Sequence, residues 1–90
     1  MSVVTRQIEY SREALRTLQR IDRATGERIV LKVEQLAADP ASLANNIRSL
    51  KGQGDLKRLR VGDWRVIFSE TLVVVAIERI APRGGAYDQE

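Results

Sequence analysis

The 90-residue chain contains no cysteine and no histidine. Without cysteine there is no disulfide framework and no thiolate site. Without histidine the usual general base near neutral pH and the commonest metal ligand are both missing. A zinc enzyme and a Ser-His-Asp hydrolase are excluded on that ground. No apolar run approaches the roughly 20 residues that a membrane helix requires. The N-terminal stretch MSVVTRQIEYSREAL has no apolar core of the kind a secretory signal carries. The expectation is a cytoplasmic protein without a membrane association.

Hydrophobic residues make up 43% of the chain, enough for one core and too many for a disordered segment. Residues 1–90 are expected to form a single domain, because a chain this short supports one hydrophobic core. The net charge is only +3, but its distribution is uneven. Residues 48–65 hold six cations (Arg48, Lys51, Lys57, Arg58, Arg60, Arg65) against two acids (Asp55, Asp63). Residues 66–90 hold two cations against four acids. Focused positive charge suits a polyanionic partner, although a solvated basic face has the same composition.

The periodicity predicts a strand over residues 3–9, followed by Ser11 as a helix N-cap. Leu15, Leu18 and Ile21 recur at helical spacing with arginines between them. Asp22 to Gly26 break that helix, with Thr25 expected to cap the next one. Ile29, Val33, Leu36 and Ala37 form a second apolar stripe, which ends at Asp39-Pro40. After a loop to about Asn46, strands are expected over Leu56–Val61, Trp64–Ser69 and Leu72–Ile80, with Gly62-Asp63 turning the first pair. The nearly continuous apolar run Val73 to Ile77 reads as a central strand covered on both faces. Pro82 is expected to stop it and to leave residues 83–87 as a flexible end. The predicted fold class is α+β, in the order β-α-α-β-β-β, with a helical hairpin packed on one face of a small, mostly antiparallel sheet.

Alternation along the strands divides these residues between two faces. Trp64, Val66, Phe68, Leu59 and Val61 are assigned to the side under the helices. Arg58, Arg60 and Arg65 then converge on an open face. Guanidiniums gathered on one face repel one another unless an anion, an acidic partner or a neighbouring carboxylate such as Asp55, Glu70 or Glu78 offsets them. Lys57 falls on the buried side by the same alternation, unless the strand is bulged. Glu78 and Arg79 are read as a structural pair without chemistry.

The segment LKRLRVGDWRVIF, preceded by LKG, followed by an apolar strand and closed by R-G-G-A-Y, resembles the RelE branch of the RelE/ParE superfamily of bacterial toxins. The likeness covers nearly the whole chain, including the helical hairpin and the element order. It implies a RelE-like fold and a toxin of a type II toxin–antitoxin pair that enters the ribosomal A site and cuts mRNA there without metal. Its implied partners are a cognate antitoxin, in a toxin–antitoxin hetero-oligomer, together with ribosomal RNA and mRNA. By the resemblance, Arg65 matches the arginine that stabilises the scissile phosphate, Arg58 and Arg60 match the basic strand before it, and Lys51 matches the lysine of the L-K-G segment. Arg83 and Tyr87 match a closing arginine–tyrosine pattern. The chain departs from the pattern where Leu56 and Arg58 occupy the positions of two lysines, and where Ala81 replaces an arginine.

Internal cleavage of RNA needs the 2′-OH deprotonated, the pentavalent phosphorane stabilised and the 5′-oxygen protonated. Arginine suits the middle task, because its planar fork binds phosphate oxygens and stays charged. On this reading Arg65 stabilises the phosphorane with support from Arg58 and Arg60. Lys57 or Lys51 serves as the base, Arg83 acts at the leaving oxygen, and Tyr87 stacks on a base or relays a proton. Arg48 joins Lys51 and Arg60 in binding RNA or the ribosome. Two other readings share the fold: a ParE-type inhibitor of DNA gyrase, and a non-catalytic module that docks on RNA or on an acidic protein.

Overall fold

The computed structural model describes residues 5–84. Strand β1 (Gln7–Tyr10) leads into helix α1 (Arg12–Arg20) and helix α2 (Arg23–Ala38). A 3-10 segment (Pro40–Asn46) then connects to β2 (Ile47–Ser49), β3 (Lys57–Val61), β4 (Trp64–Glu70) and β5 (Val74–Pro82). The five strands form one sheet in the order β1-β5-β4-β3-β2. β1 runs parallel to β5, and the other pairs are antiparallel. The α+β class, the helical hairpin and the mostly antiparallel sheet match the sequence expectation. The added strand is β2, whose three residues are too few to show an alternation.

The helices begin where their caps dictate. The Ser11 hydroxyl accepts from the Ala14 amide at 3.0 Å and donates to the Glu78 carbonyl at 2.6 Å. It therefore caps α1 and ties it to β5. Asp22, rather than the expected Thr25, caps α2: its carboxylate accepts from the Thr25 amide at 3.0 Å. The apolar stripe of α1 is also shifted by one residue. Ala14 is fully buried, with Leu18 and Ile21 packed on the core, whereas Leu15 is 46% exposed. On α2, Ile29, Val33, Leu36 and Ala37 are buried, as the spacing predicts.

Both helices lie on one face of the sheet. Their apolar residues meet Leu59, Val61, Val66, Phe68, Val75, Ile77 and Ile80 in one cluster, with Trp64 packed at its margin. The expectation that β5 is covered on both faces is overturned, because the far face carries no helix. Leu72 and Val73 stand exposed in the β4–β5 turn, and only alternate residues of the strand are fully buried. A register shift changes that alternation midway. Ile67 pairs with Arg79 and Phe68 with Ile77, so Glu78 is skipped. This bulge returns Ile80 to the core side and leaves both Glu78 and Arg79 exposed. Arg79 forms an ion pair with Glu13 of α1 at 3.1 Å, which ties the strand to the helix.

The end of α2 is fastened to the sheet by charge. Arg6 donates to the carbonyls of Leu36 at 2.7 Å and Ala37 at 3.4 Å, near the last turn of α2. Its guanidinium also pairs with Glu70, which accepts from the Lys57 ammonium at 2.7 Å on its other oxygen. Burial pushes the Glu70 carboxyl up, but the hydrogen bonds from Lys57 and Arg6 outweigh it and hold the group below its ordinary value.

Candidate nucleic-acid interface

The β3–β4 hairpin places the arginines in register on the face away from the helices. Its two-residue loop has Gly62 at φ +58. A positive φ at the first central position but not the second suits the right-handed twist of a hairpin, and only glycine adopts it without strain. Across the strands, Arg48 pairs with Arg58, and Arg58 with Ile67. In the next row Arg60 pairs with Arg65, and Arg65 with Ala81. Directly paired residues on one face have their Cβ atoms about 5 Å apart, so the two rows bring four guanidiniums into one patch. Arg48 and Arg60 are exposed and Arg58 is half-buried.

Arg65 differs from its neighbours and corrects the expectation of an open face. Only 8% of it is accessible. Its Nη1 donates to the carbonyls of Gly62 and Trp64, both at 3.0 Å. Its Nε is buried without a hydrogen-bond partner. The Asp63 carbonyl between those two accepts from the Arg83 amide at 2.7 Å. Three successive turn carbonyls are thus held by Arg65 and Arg83, so Arg65 fastens the hairpin that carries Arg60. The face is also partly carpeted. Leu50 and Leu56, which bracket the β2–β3 loop, pack with Ile67 and Ala81 in a small second cluster. That cluster was not legible in the sequence, because the loop must fold back before its leucines reach Ile67.

Lys57 is placed elsewhere. It shares the parity of Leu59 and Val61, and its ammonium is engaged by Glu70 on the helix side. The idea of Lys57 as a base among the arginines is therefore corrected: strand alternation turns it away from them. Lys51 is exposed in the β2–β3 loop and Arg83 is exposed just beyond β5, opposite Asp63. Tyr87 lies outside the described residues. Of the carboxylates expected to neutralise the patch, Glu70 is committed to Arg6 and Lys57. Among the described residues Arg48, Arg60 and Arg65 form no ion pair. No group of three or more His, Cys, Asp or Glu side chains is arranged to hold a metal among them either.

Among the described residues, a basic sheet face with few carboxylates, backed by a helical hairpin on a small α+β scaffold, has the charge that suits a polyanion. Comparison with known proteins gives it a lineage. The model of a family described as the ParE toxin of type II toxin–antitoxin systems, parDE, matches residues 8–87. The chain belongs to this family, within the RelE/ParE superfamily of type II toxins. It is similar to a chain of the archaeal RelE–RelB complex from Pyrococcus horikoshii OT3, with 30% identity over 92% of this chain and 100% of that one and a TM-score of 0.75. A mutant of the Escherichia coli toxin RelE in the free state shares the fold at 19% identity, covering 94% and 90% of the two chains, with a TM-score of 0.70. So does the YoeB dimer from Staphylococcus aureus, at 15% identity, 87% and 97% coverage and a TM-score of 0.71. A search of curated proteins found no match.

Proposed function

We propose that this type II toxin is a ribosome-dependent endoribonuclease that acts in the cytoplasm on mRNA in the A site and so inhibits translation. The observation that carries the reading is the pairing of Arg48 with Arg58 and of Arg60 with Arg65 on the sheet face that no helix covers. Such a patch is stabilised by the phosphates of RNA. In the reaction the 2′-oxygen loses its proton and attacks the adjacent phosphorus. The bond to the 5′-oxygen breaks, that oxygen takes up a proton, and a 2′,3′-cyclic phosphate remains. Arg58 and Arg60 bind the non-bridging oxygens, where charge accumulates in the phosphorane. Arg83, anchored through its backbone beside the hairpin turn, faces the leaving oxygen, and Tyr87 completes the site from the C-terminal segment. Lys51 and Arg48 extend the patch along the RNA, and Lys51, the lysine not tied to Glu70, is assigned as the base. Arg65 supports the patch from beneath.

The RelE chains of similar fold come largely from complexes with RelB. This supports a cognate antitoxin as the partner that restrains the chain in a hetero-oligomer, by covering the basic face or by seating on the helical hairpin. Primer extension on an mRNA translated in a bacterial extract tests the activity. Cuts confined to ribosome-occupied codons, lost with Arg60→Ala, are expected. Intact mRNA would overturn the nuclease reading.

A second reading is favoured by the match to the ParE model: a gyrase inhibitor without nuclease activity. Supercoiling assays with purified gyrase separate the two, since an RNase leaves supercoiling unchanged.

A further inference from the structure

Helix α1 carries a second cationic surface that the sheet site does not use. Arg12, Arg16 and Arg20 are spaced i, i+4 and i+8, and all three are exposed. They form one line on the helix, turned away from the core residues Ala14 and Leu18. Like charges at i, i+4 destabilise a helix, and Arg12 also sits at the positive end of the macrodipole. Three acids of the helical hairpin are engaged elsewhere. Glu13 pairs with Arg79 at 3.1 Å, Glu27 pairs with Arg23 at 3.2 Å, and Asp22 caps α2. Among the described residues none of the three arginines has an ion pair. A line of uncompensated guanidiniums, one helical turn apart, is complementary to a run of backbone phosphates.

The position of the line matters as much as its charge. The helices lie on one face of the sheet, and Arg48, Arg58 and Arg60 are on the other. Cations therefore face outward in two opposite directions, which suits a protein held in a cleft with nucleic acid on both sides. We infer that Arg12, Arg16 and Arg20 form a docking surface for ribosomal RNA phosphates, while the sheet face takes the messenger. This inference rests on the proposed ribosome-dependent reading.

The test compares the wild-type chain with the triple variant Arg12→Gln, Arg16→Gln, Arg20→Gln. Glutamine keeps helix propensity and relieves the repulsion, and circular dichroism checks the fold. A triple Arg→Lys variant retains the charge. Binding to purified 70S ribosomes is measured by sedimentation over a salt series, together with single-turnover cleavage at saturating ribosomes and affinity for the antitoxin. The glutamine variant is expected to bind ribosomes at least about tenfold more weakly, with a salt slope shallower by about 2 for three lost phosphate contacts. Its saturated cleavage rate and its antitoxin affinity stay at wild-type level, and the lysine variant binds nearly as wild type does. Equal ribosome binding by wild type and glutamine variant, with wild-type cleavage intact, overturns the docking surface and leaves the nuclease reading standing. Weaker antitoxin binding with unchanged ribosome binding assigns the line to an acidic protein and overturns it too. A wild-type chain that binds no ribosomes removes the functional reading and this inference together.

Discussion

The two faces of the sheet solve opposite problems with nearly the same strands. Under the helices, Leu59, Val66 and Phe68 are fully buried, and the charged groups at the margin are neutralised in place by Arg6, Glu70 and Lys57. On the other face a small cluster around Leu50 and Ile67 gives cover, and the cations Arg48 and Arg60 form no ion pair among the described residues. The first face consumes its polar groups to hold the fold. The second keeps them available, which is what binding a polyanion requires. Arg65 links the two regimes: it belongs to the second face by register, yet it is spent on the hairpin turn.

Substitutions on each face should separate these regimes. Phe68→Ala removes the largest of the fully buried side chains and should cost about 3–5 kcal/mol, read as a fall in the urea midpoint. For so small a domain that approaches the total stability. An equal loss from Arg60→Ala would break the comparison. Glu70→Gln should cost about 1–3 kcal/mol at pH 7 by leaving Arg6 and Lys57 without their anion. Its pH dependence has a definite sign. The folded-state pKa of Glu70 is depressed, so its stabilisation is present above the unfolded value of about 4.3 and is lost as pH falls through the folded value. Wild type and variant should therefore converge in stability once the pH lies below the folded value, and a gap that persists there would show that the carboxylate's charge is not its contribution.

Ser11→Ala should cost about 1 kcal/mol, since it removes the α1 cap and the bond to Glu78, and thermal unfolding would show it. Arg60→Ala should change stability by under about 0.5 kcal/mol while lowering mRNA cleavage roughly 10²-fold. That dissociation of stability from activity is the sharpest statement of the difference between the faces. A variant that loses both together would place Arg60 with the structural residues.

Much of this was legible because period and caps are local properties. The α2 stripe, the Ser11 cap, the Gly62-Asp63 turn and the assignment of Trp64 and Phe68 to the core follow from residue spacing alone. The errors have a common source. Helical spacing points to Leu15 rather than Ala14, because a larger apolar residue masks a smaller one that packs closer. Val73 belongs to an apolar run yet is exposed, because such a run does not say whether a second layer exists to cover it. The bulge at Glu78 breaks the period of two on which face assignment depends, so alternation counted along β5 fails beyond Ile77.

By itself the sequence determined the class of the fold, the absence of histidine and thiol chemistry, and the concentration of cations in residues 48–65. These depend on composition and on neighbours along the chain. Only the tertiary structure decided which cations remain available. Arg65 and Lys57 lie in the same basic run as Arg60, but one meets the turn carbonyls and the other meets Glu70, 13 residues away. Whether a charge is spent or kept depends on which partner the fold brings within hydrogen-bond reach, and that distance is set by the packing of strands and helices rather than by position in the chain.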